Sequence, residues 1–276
     1  MPVTSSATSA SAVSTAKDWF RPLARLGYAA RGLIYLVIGF FAALAAVGSG
    51  RTMGSEGALQ TLMGTTAGSV LTWVLTLGLV SYALWRLIQG IFDTDDHGTG
   101  AKGLAVRGGL VAAAFTYGAL ALYTFSAARG AGSSGGGGGD FAQTLAGFVG
   151  SRWAATIIGT VLIGVAFAHF YKAVKERYAP HFAAGPDRMR IIHPIAKTGL
   201  IARGTVFGVA GFMLGLSAWR GNSDNETPGS QEALQYIQSL PGGAWLLAAT
   251  GLGLIAFAAY SFLEAAYRRI NVEEAG

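Results

Sequence analysis

The sequence contains no cysteine, and only 12% of its 276 residues are charged. Without cysteine the chain has no disulfide framework, no thiol nucleophile and no thiolate-ligated zinc site. A soluble domain carries roughly a quarter charged residues, and half that share is too little to coat a soluble surface of this size. These shortages exclude a disulfide-rich secreted protein and argue against a soluble enzyme.

Hydrophobic residues are abundant, because they make up 52% of the chain. A helix of about 20 apolar residues can cross the hydrocarbon core of a bilayer. We therefore expect an all-α, polytopic membrane protein whose first partner is the lipid bilayer. The six predicted spans are Leu26–Val47, Val70–Phe92, Leu104–Ala127, Trp153–Ala173, Gly199–Trp219 and Ala244–Tyr267.

The distribution of basic residues predicts the orientation of the chain. Sixteen of the twenty Lys and Arg residues fall on the side of the N-terminus, and basic residues stay on the cytoplasmic side of a membrane. Both termini are therefore expected in the cytoplasm, with residues 1–20 as a disordered tail. The net charge of +6 is spread among apolar runs, so no nucleic-acid partner is predicted.

A short motif opens every odd-numbered span. Gly27-x-x-x-Arg31-Gly32 recurs as Gly103-x-x-x-Arg107-Gly108 and as Gly199-x-x-x-Arg203-Gly204. One copy would mean little in a chain with 41 glycines. Three copies at equivalent places indicate an internal repeat.

The even-numbered spans repeat as well. Gly78, Gly164 and Gly253 are each followed seven residues later by an aromatic residue, and eleven residues later by Gln89, Lys175 and Glu264 respectively. These offsets lie on one helical face, and each glycine is expected to mark a close contact between helices. The fifth span adds small-residue packing faces at Gly204, Gly208, Gly211 and Gly215.

Because each repeat contains two spans, all three repeats have the same orientation and are related by an axis along the membrane normal. We expect three parallel two-helix repeats in a pseudo-threefold arrangement, over residues 21–97, 98–190 and 191–276. The loop Lys172–Thr198 contains three prolines and is expected to be irregular. The outward connections should hold short surface helices near residues 56–60, 140–145 and 231–235, and residues 130–139 should form a flexible linker.

The repeated Gly-x-x-x-Arg-Gly motif, alternating with the stretch Gly78–Arg86, resembles the bacterial membrane family called domain of unknown function 1206. The resemblance covers nearly everything from Leu23 to Ile270. It implies three two-helix repeats and a bacterial inner-membrane location, and it implies no activity. The middle repeat departs most from the pattern, since residues 102–106 replace the fuller motif and His169 stands where the other repeats have alanine.

The three repeated arginines, Arg31, Arg107 and Arg203, are the first candidates for a functional site. The simplest interpretation is that they reach lipid phosphates and fix the depth of their helices. Alternatively, they form a cytoplasmic ring around the axis that attracts anions. A third possibility pairs Arg31 with Glu264, the most deeply embedded acid, because an unpaired charge in the membrane is costly.

The remaining polar residues favour structural roles. His169 is the only histidine within a span, so a haem held by two histidines is not expected, and helix packing suits it better. The loop residues Asp93, Asp95, Asp96 and His97 look like a metal site but are more typical of a solvated turn. No metal, cofactor or catalytic residue is predicted, because the chain has no phosphate-binding loop, dinucleotide motif, zinc-protease helix or nucleophile elbow.

Two non-enzymatic functions remain open. The first is a channel or transporter for an anion or small solute along the pseudo-threefold axis. The second is a scaffold or assembly protein that packs against lipid or other membrane proteins. An arginine ring facing an open axis would favour the first, and an axis filled by apolar side chains with the arginines facing lipid would count against it.

Overall fold

The computed structural model describes residues 5–66, 68–95, 97–129, 150–220 and 230–269. Within these ranges the chain forms eight α-helices and one short 3₁₀ helix, Ala179–His181, with no β-strand. The α-helices are α1 (Ser5–Ala46), α2 (Ser55–Met63), α3 (Gly68–Phe92), α4 (Ala101–Ala128), α5 (Ser151–Val174), α6 (Pro186–Arg220), α7 (Ser230–Ser239) and α8 (Gly243–Tyr267). Of these, α2 and α7 are too short to cross a membrane.

Six helices are long and apolar enough to span a bilayer, as the sequence predicts. They are α1 from Arg21 onward, α3, α4, α5, α6 and α8. Each of the six predicted stretches coincides with one of these helices, and most ends differ from the predicted ones by a few residues. The exception is α6, which begins at Pro186 and not at Gly199. This is therefore an all-α, multi-pass membrane protein.

The six spans form a pseudo-threefold ring of three repeats. The second span of each repeat packs extensively on the first span of the next, so that α3 packs on α4, α5 on α6, and α8 back on α1. Glycines permit the last two of these contacts, since Gly39 meets the backbone of Gly251, and Gly211 meets that of Gly159. The closure of α8 on α1 joins the third repeat to the first.

One prediction about an irregular segment is wrong. Residues 186–198, expected in an irregular loop, belong to α6, because Pro186 occupies the tolerated first position and Ile192 and Ala196 are buried in the core. The disordered tail expected over residues 1–20 stays a prediction, and α1 begins at Ser5.

The short helices α2 and α7 lie in two of the outward connections where they were expected, but they are not only surface elements. Leu59 on α2 and Leu234 on α7 are fully buried against the spans. The third predicted helix, at residues 140–145, and the glycine-rich linker at 130–139 lie outside the described residues. We call the end of the bundle with α2 and α7 the α2–α7 end, and the end with the loops after α3 and α5 the basic end.

Candidate functional site

Arg31 lies at the centre of a buried polar network near the basic end. Only 2% of this residue is exposed. Its Nε donates to the hydroxyl of Ser261 at 3.1 Å, its Nη1 donates to the hydroxyl of Tyr82, and its Nη2 forms an ion pair with Glu264. Arg31 therefore joins α1 to both α3 and α8, and it has the acidic partner that one of the sequence interpretations assigned to it.

The network continues from Glu264 toward the loop after α3. Arg268 donates to Oε1 of Glu264 at 2.8 Å and to Oδ2 of Asp95 at 3.2 Å. The amide of Gln89 donates to the same Asp95 oxygen at 2.9 Å. Arg86 donates to Gln89 at 3.0 Å. Ion pairs and hydrogen bonds thus form a continuous chain from α8 to α3.

Tyr82 closes this chain into a circuit. The Nε of Arg86 donates to the Tyr82 hydroxyl at 2.9 Å, and the same hydroxyl accepts from Arg31. Such fully connected networks fix the relative position of the helices that carry them. The circuit joins the first repeat to the third, the two repeats whose spans α1 and α8 are in contact.

The charges at the loop end of the network hold neighbouring groups in defined protonation states. Burial raises the pKa of Asp95, but the positive charges of Arg268 and Arg86 oppose it and keep that pKa below its ordinary value. Burial and the charge of Arg268 lower the pKa of His181 to about 4. At neutral pH Asp95 is therefore a carboxylate and His181 is uncharged.

Arg203 occupies the equivalent position in the third repeat but has different surroundings. Its guanidinium lies 4.7 Å from the ring centre of Phe257 and 5.0 Å from those of Tyr35 and Phe207. Its Nη2 is 3.3 Å from the hydroxyl of Tyr117 on α4. Its Nε is buried without a hydrogen-bond partner. Among the described residues, no carboxylate forms an ion pair with Arg203.

Arg107 does not join the other two arginines, so the prediction of a three-membered ring is wrong. Its Nε donates to the carbonyl of Gly90 at 2.8 Å, and its Nη2 donates to that of Ile91 at 2.6 Å. These are free carbonyls at the C-terminus of α3, where a positive charge is favourable. Arg107 therefore caps a helix, because α4 packs on α3 more closely than on the bundle centre.

Positive charge exceeds negative charge in this region. We define the cationic cluster as five basic and two acidic side chains that interact electrostatically around the Arg31–Glu264 pair. Arg31, Glu264 and Arg268 are buried, and the other four members are half-buried. Five cations facing two carboxylates leave a surplus of three positive charges, which a bound anion would offset. The members are Arg31, Arg86, Lys172, Arg203, Arg268, Glu264 and Asp95.

Aromatic side chains fill the bundle interior beside the cluster. Tyr82 packs edge-on against Tyr28 at 5.3 Å and against Tyr117 at 4.6 Å between ring centres. Tyr35 packs in the same way against Phe257 at 4.8 Å. The axis is thus occupied at this level, while Arg31 and Arg203 face inward and not toward lipid. The sequence analysis anticipated either arginines facing an open axis or a filled axis with arginines facing lipid. The structure has a filled axis with arginines facing inward, which matches neither.

His169 and the acidic loop have structural surroundings. The Nδ1 of His169 is 2.8 Å from the carbonyl of Val165, and its ring packs against Phe207. The Asp93 carboxylate accepts from the backbone amides of His97 and Gly98, whereas Asp95 faces Arg268. Asp96 lies outside the described residues. In the described part of the chain no three His, Cys, Asp or Glu residues converge as metal ligands would.

The predicted packing glycines divide into two groups. A Cβ at Gly78 would lie 2.7 Å from the Cβ of Ala30, and one at Gly253 would lie 2.4 Å from that of Ala202. Gly204, Gly208 and Gly211 also face α5. By contrast, a Cβ at Gly164 would meet no described residue within 4 Å, so the close contact predicted there is not found. A Cβ at Gly215 meets none either, but the Gly215 backbone nitrogen lies 3.3 Å from a Cβ placed at Gly159 of α5. The reason at Gly164 is that α4 and α5 do not pack together along their length.

Sequence reasoning missed several members of the cluster. Arg86 and Arg268 enter the sequence analysis only among the sixteen basic residues that predict the orientation. The usable signal for Arg268 was its position four residues after Glu264, which places both on one helical face. Nothing in the sequence indicated that Asp95, in a loop, would meet Arg268.

Comparison with known proteins places this architecture in a family. The model of a family described as Domain of Unknown Function (DUF1206) matches residues 26–93, 108–176 and 198–268. The chain is 30% identical over 265 residues to an uncharacterised protein, YxxB, of Bacillus subtilis (strain 168), and the match covers 94% of each chain. No solved structure matches it. The chain belongs to the DUF1206 family, and no enzymatic family is indicated.

Proposed function

We propose that this member of the DUF1206 family is a carrier for an anionic substrate, which it binds at the cationic cluster. The observation that carries the proposal is the surplus of positive charge around the buried Arg31–Glu264 pair, five buried or half-buried cations against two carboxylates. Arg31 and Arg268 are committed to Glu264 and Asp95. Arg203 has no acidic partner among the described residues, so it is the side chain that binds the anion.

The proposed site is in a bacterial inner membrane with the basic end toward the cytoplasm. The support is the excess of Lys and Arg on that side, since basic loops are retained in the cytoplasm. Attraction of anions by the cluster then acts on the cytoplasmic face.

A carrier suits the bundle better than an open channel. Aromatic rings occupy the interior beside Arg31 and Arg203, and Leu59 and Leu234 are buried under the α2–α7 end. An anion bound at Arg203 can therefore cross only if the helices rearrange, which is how carriers with repeated folds expose a site alternately to the two sides.

The experiment compares transport in liposomes by the full chain and two arginine variants. Inorganic phosphate, chloride and a fluorescently labelled anionic phospholipid are tested separately. We expect movement of at least one of them, and we expect Arg203→Gln to reduce its rate about ten- to hundredfold, the loss of one hydrogen-bonded charge on the substrate. Arg107→Gln is the control, because Arg107 lies outside the cationic cluster and its hydrogen bonds in the described structure go to helix-end carbonyls.

Two outcomes would overturn the carrier. One is no movement above protein-free liposomes for all three substrates. The other is an equal rate in wild type and Arg203→Gln.

The membrane scaffold is a second candidate, favoured by the exposed surface of the middle repeat. Trp153, Phe167 and Val174 on α5 and Phe115 and Leu122 on α4 are 65–70% exposed. A photo-crosslinking residue at Phe167 would test it in intact cells. One reproducible protein adduct supports a scaffold, and adducts to lipid alone reject it.

A further inference from the structure

The hairpin of the middle repeat is open, whereas the other two hairpins are closed. In the first repeat Gly27 lies against the backbone of Tyr82, and in the third Gly199 lies against that of Phe257 in the same way. The nearest atoms to a Cβ at the equivalent Gly103 belong to its own preceding loop, at the carbonyls of His97 and Gly98. The second closing contact is also missing from the described part of the chain, where no residue lies within 4 Å of a Cβ at Gly164.

Each helix of the open hairpin is nevertheless held firmly by another repeat. On α4, Thr124 bonds to Thr76 of α3 at 2.9 Å, and Val111 contacts Gly90. On α5, Gly159 packs against Gly211 of α6. The gap between α4 and α5 therefore follows from how the neighbouring repeats hold these two helices. We call it the α4–α5 cleft, and the exposed apolar side chains of its two helices, such as Phe115 and Phe167, are typical of a surface in contact with lipid.

Arg203 lies behind this cleft. It projects from α6, which is the neighbour of α5, and reaches Tyr117 on α4. Its side chain therefore passes across the inner side of the gap. At the basic end of the cleft, Lys102 of α4 lies 5.2 Å from the ring centre of Tyr171 on α5, which places a second cation at its mouth.

The depth of Arg203 matches that of a lipid headgroup. Arg203 precedes the end of α6 at Arg220 by 17 residues, or about 26 Å of helix. The hydrocarbon core is about 30 Å thick, so the guanidinium sits near the boundary at the basic end.

We propose that the α4–α5 cleft binds an anionic phospholipid, with its phosphate on Arg203 and an acyl chain between the two helices. The inference rests on the anionic substrate proposed above and names its chemical class. Charge complementarity favours this occupant, because Arg203 lacks an acidic partner in the described residues. A second transmembrane helix would have to bring a carboxylate to the same depth.

Native mass spectrometry of the full chain tests the proposal. The protein is equilibrated in micelles with equal amounts of phosphatidylglycerol and phosphatidylcholine of the same acyl chains. We expect one phosphatidylglycerol to be retained in preference. Arg203→Gln should lower that retention about ten- to hundredfold, and Arg203→Lys should keep most of it because the charge remains.

A cleft-filling variant separates the acyl-chain site from the charge. Gly164→Leu should displace the lipid without unfolding the protein, since that position has free space. Gly215→Leu is its control, because Gly215 is equally free but lies 12 residues from Arg203, about 18 Å along α6. Arg107→Gln is the second control. Both controls should retain phosphatidylglycerol as wild type does.

The results also distinguish failure of the proposed lipid site from failure of the proposed anion carrier. Equal retention of the two lipids, or retention unaffected by both Arg203→Gln and Gly164→Leu, would overturn the lipid site. Transport of phosphate or chloride would still support the carrier in that case. Conversely, selective retention without any transport would keep the lipid site and reject the carrier. A protein adduct from a photo-crosslinker at Gly164, in place of a lipid adduct, would identify a partner helix and overturn the proposal.

Discussion

At the scale of single residues, the three repeated arginines show how one motif acquires different roles. Arg31 pairs with Glu264, Arg107 binds the carbonyl end of α3, and Arg203 faces aromatic rings. The differences come from the neighbours, because the repeat position of Glu264 is Gln89 in the first repeat and Lys175 in the second. The arginine at this repeat position has its charge balanced by an ion pair only where the helix opposite carries an acidic residue.

Removal of the Glu264 charge should be strongly destabilising. Glu264→Gln leaves Arg31 buried without its counter-ion, which costs about 3–5 kcal/mol for a buried pair. We expect the free energy of unfolding, measured by titration with SDS in mixed micelles, to fall by that amount. The double variant Arg31→Gln with Glu264→Gln should recover part of the loss, because position 31 no longer holds a buried charge without its counter-ion.

Glu176 provides a matched control for this prediction. It forms an ion pair with Lys197 at 2.6 Å, but both side chains are more than 40% exposed. Glu176→Gln should change the free energy of unfolding by less than about 1 kcal/mol. Equal effects of the two substitutions would mean that Glu264 is hydrated and that the network does not hold the repeats together.

At the scale of helices, the sequence predicted the six spans well because length and hydropathy decide them locally. The same reasoning failed where tertiary contacts decide the outcome. Residues 186–198 are helical because Ile192 and Ala196 are buried, despite Pro194. Likewise the glycine pattern predicts contacts in every repeat, yet Gly164 has none, since contact depends on where the neighbouring repeat holds α4.

For the packing glycines we predict that equivalent substitutions to alanine change the free energy of unfolding in opposite directions. Gly78→Ala and Gly253→Ala place a Cβ within 3 Å of a neighbouring methyl group, and such overpacking costs about 1–3 kcal/mol. Gly164→Ala meets nothing, and replacing glycine by alanine in a helix favours folding by about 0.5–1 kcal/mol. The same SDS titration measures all three. Destabilisation by Gly164→Ala would show that the middle hairpin is closed.

At the scale of the whole molecule, the ring depends on contacts between repeats. The sequence predicts threefold equivalence because the motifs recur, but it contains no direct signal for which hairpin opens. The nearest signal is the departure of residues 102–106 and His169 from the repeat pattern. The first and third repeats place Ala30 and Ala202 against a glycine. The second repeat has the bulkier Val106 at the equivalent sequence position, and a Cβ at Gly164 meets no described residue within 4 Å.

Cysteine cross-linking can measure this opening directly, because the natural chain has no cysteine. A disulfide requires Cβ atoms about 3.5–4.5 Å apart. The pair Thr76→Cys and Thr124→Cys should cross-link readily under mild oxidation, since the two hydroxyls are 2.9 Å apart across α3 and α4. The pair Val106→Cys and Gly164→Cys should not, because the cleft separates α4 from α5. Equally fast cross-linking of both pairs would show that the cleft is closed. A closed cleft has no room for an acyl chain, and the middle hairpin would then resemble the other two.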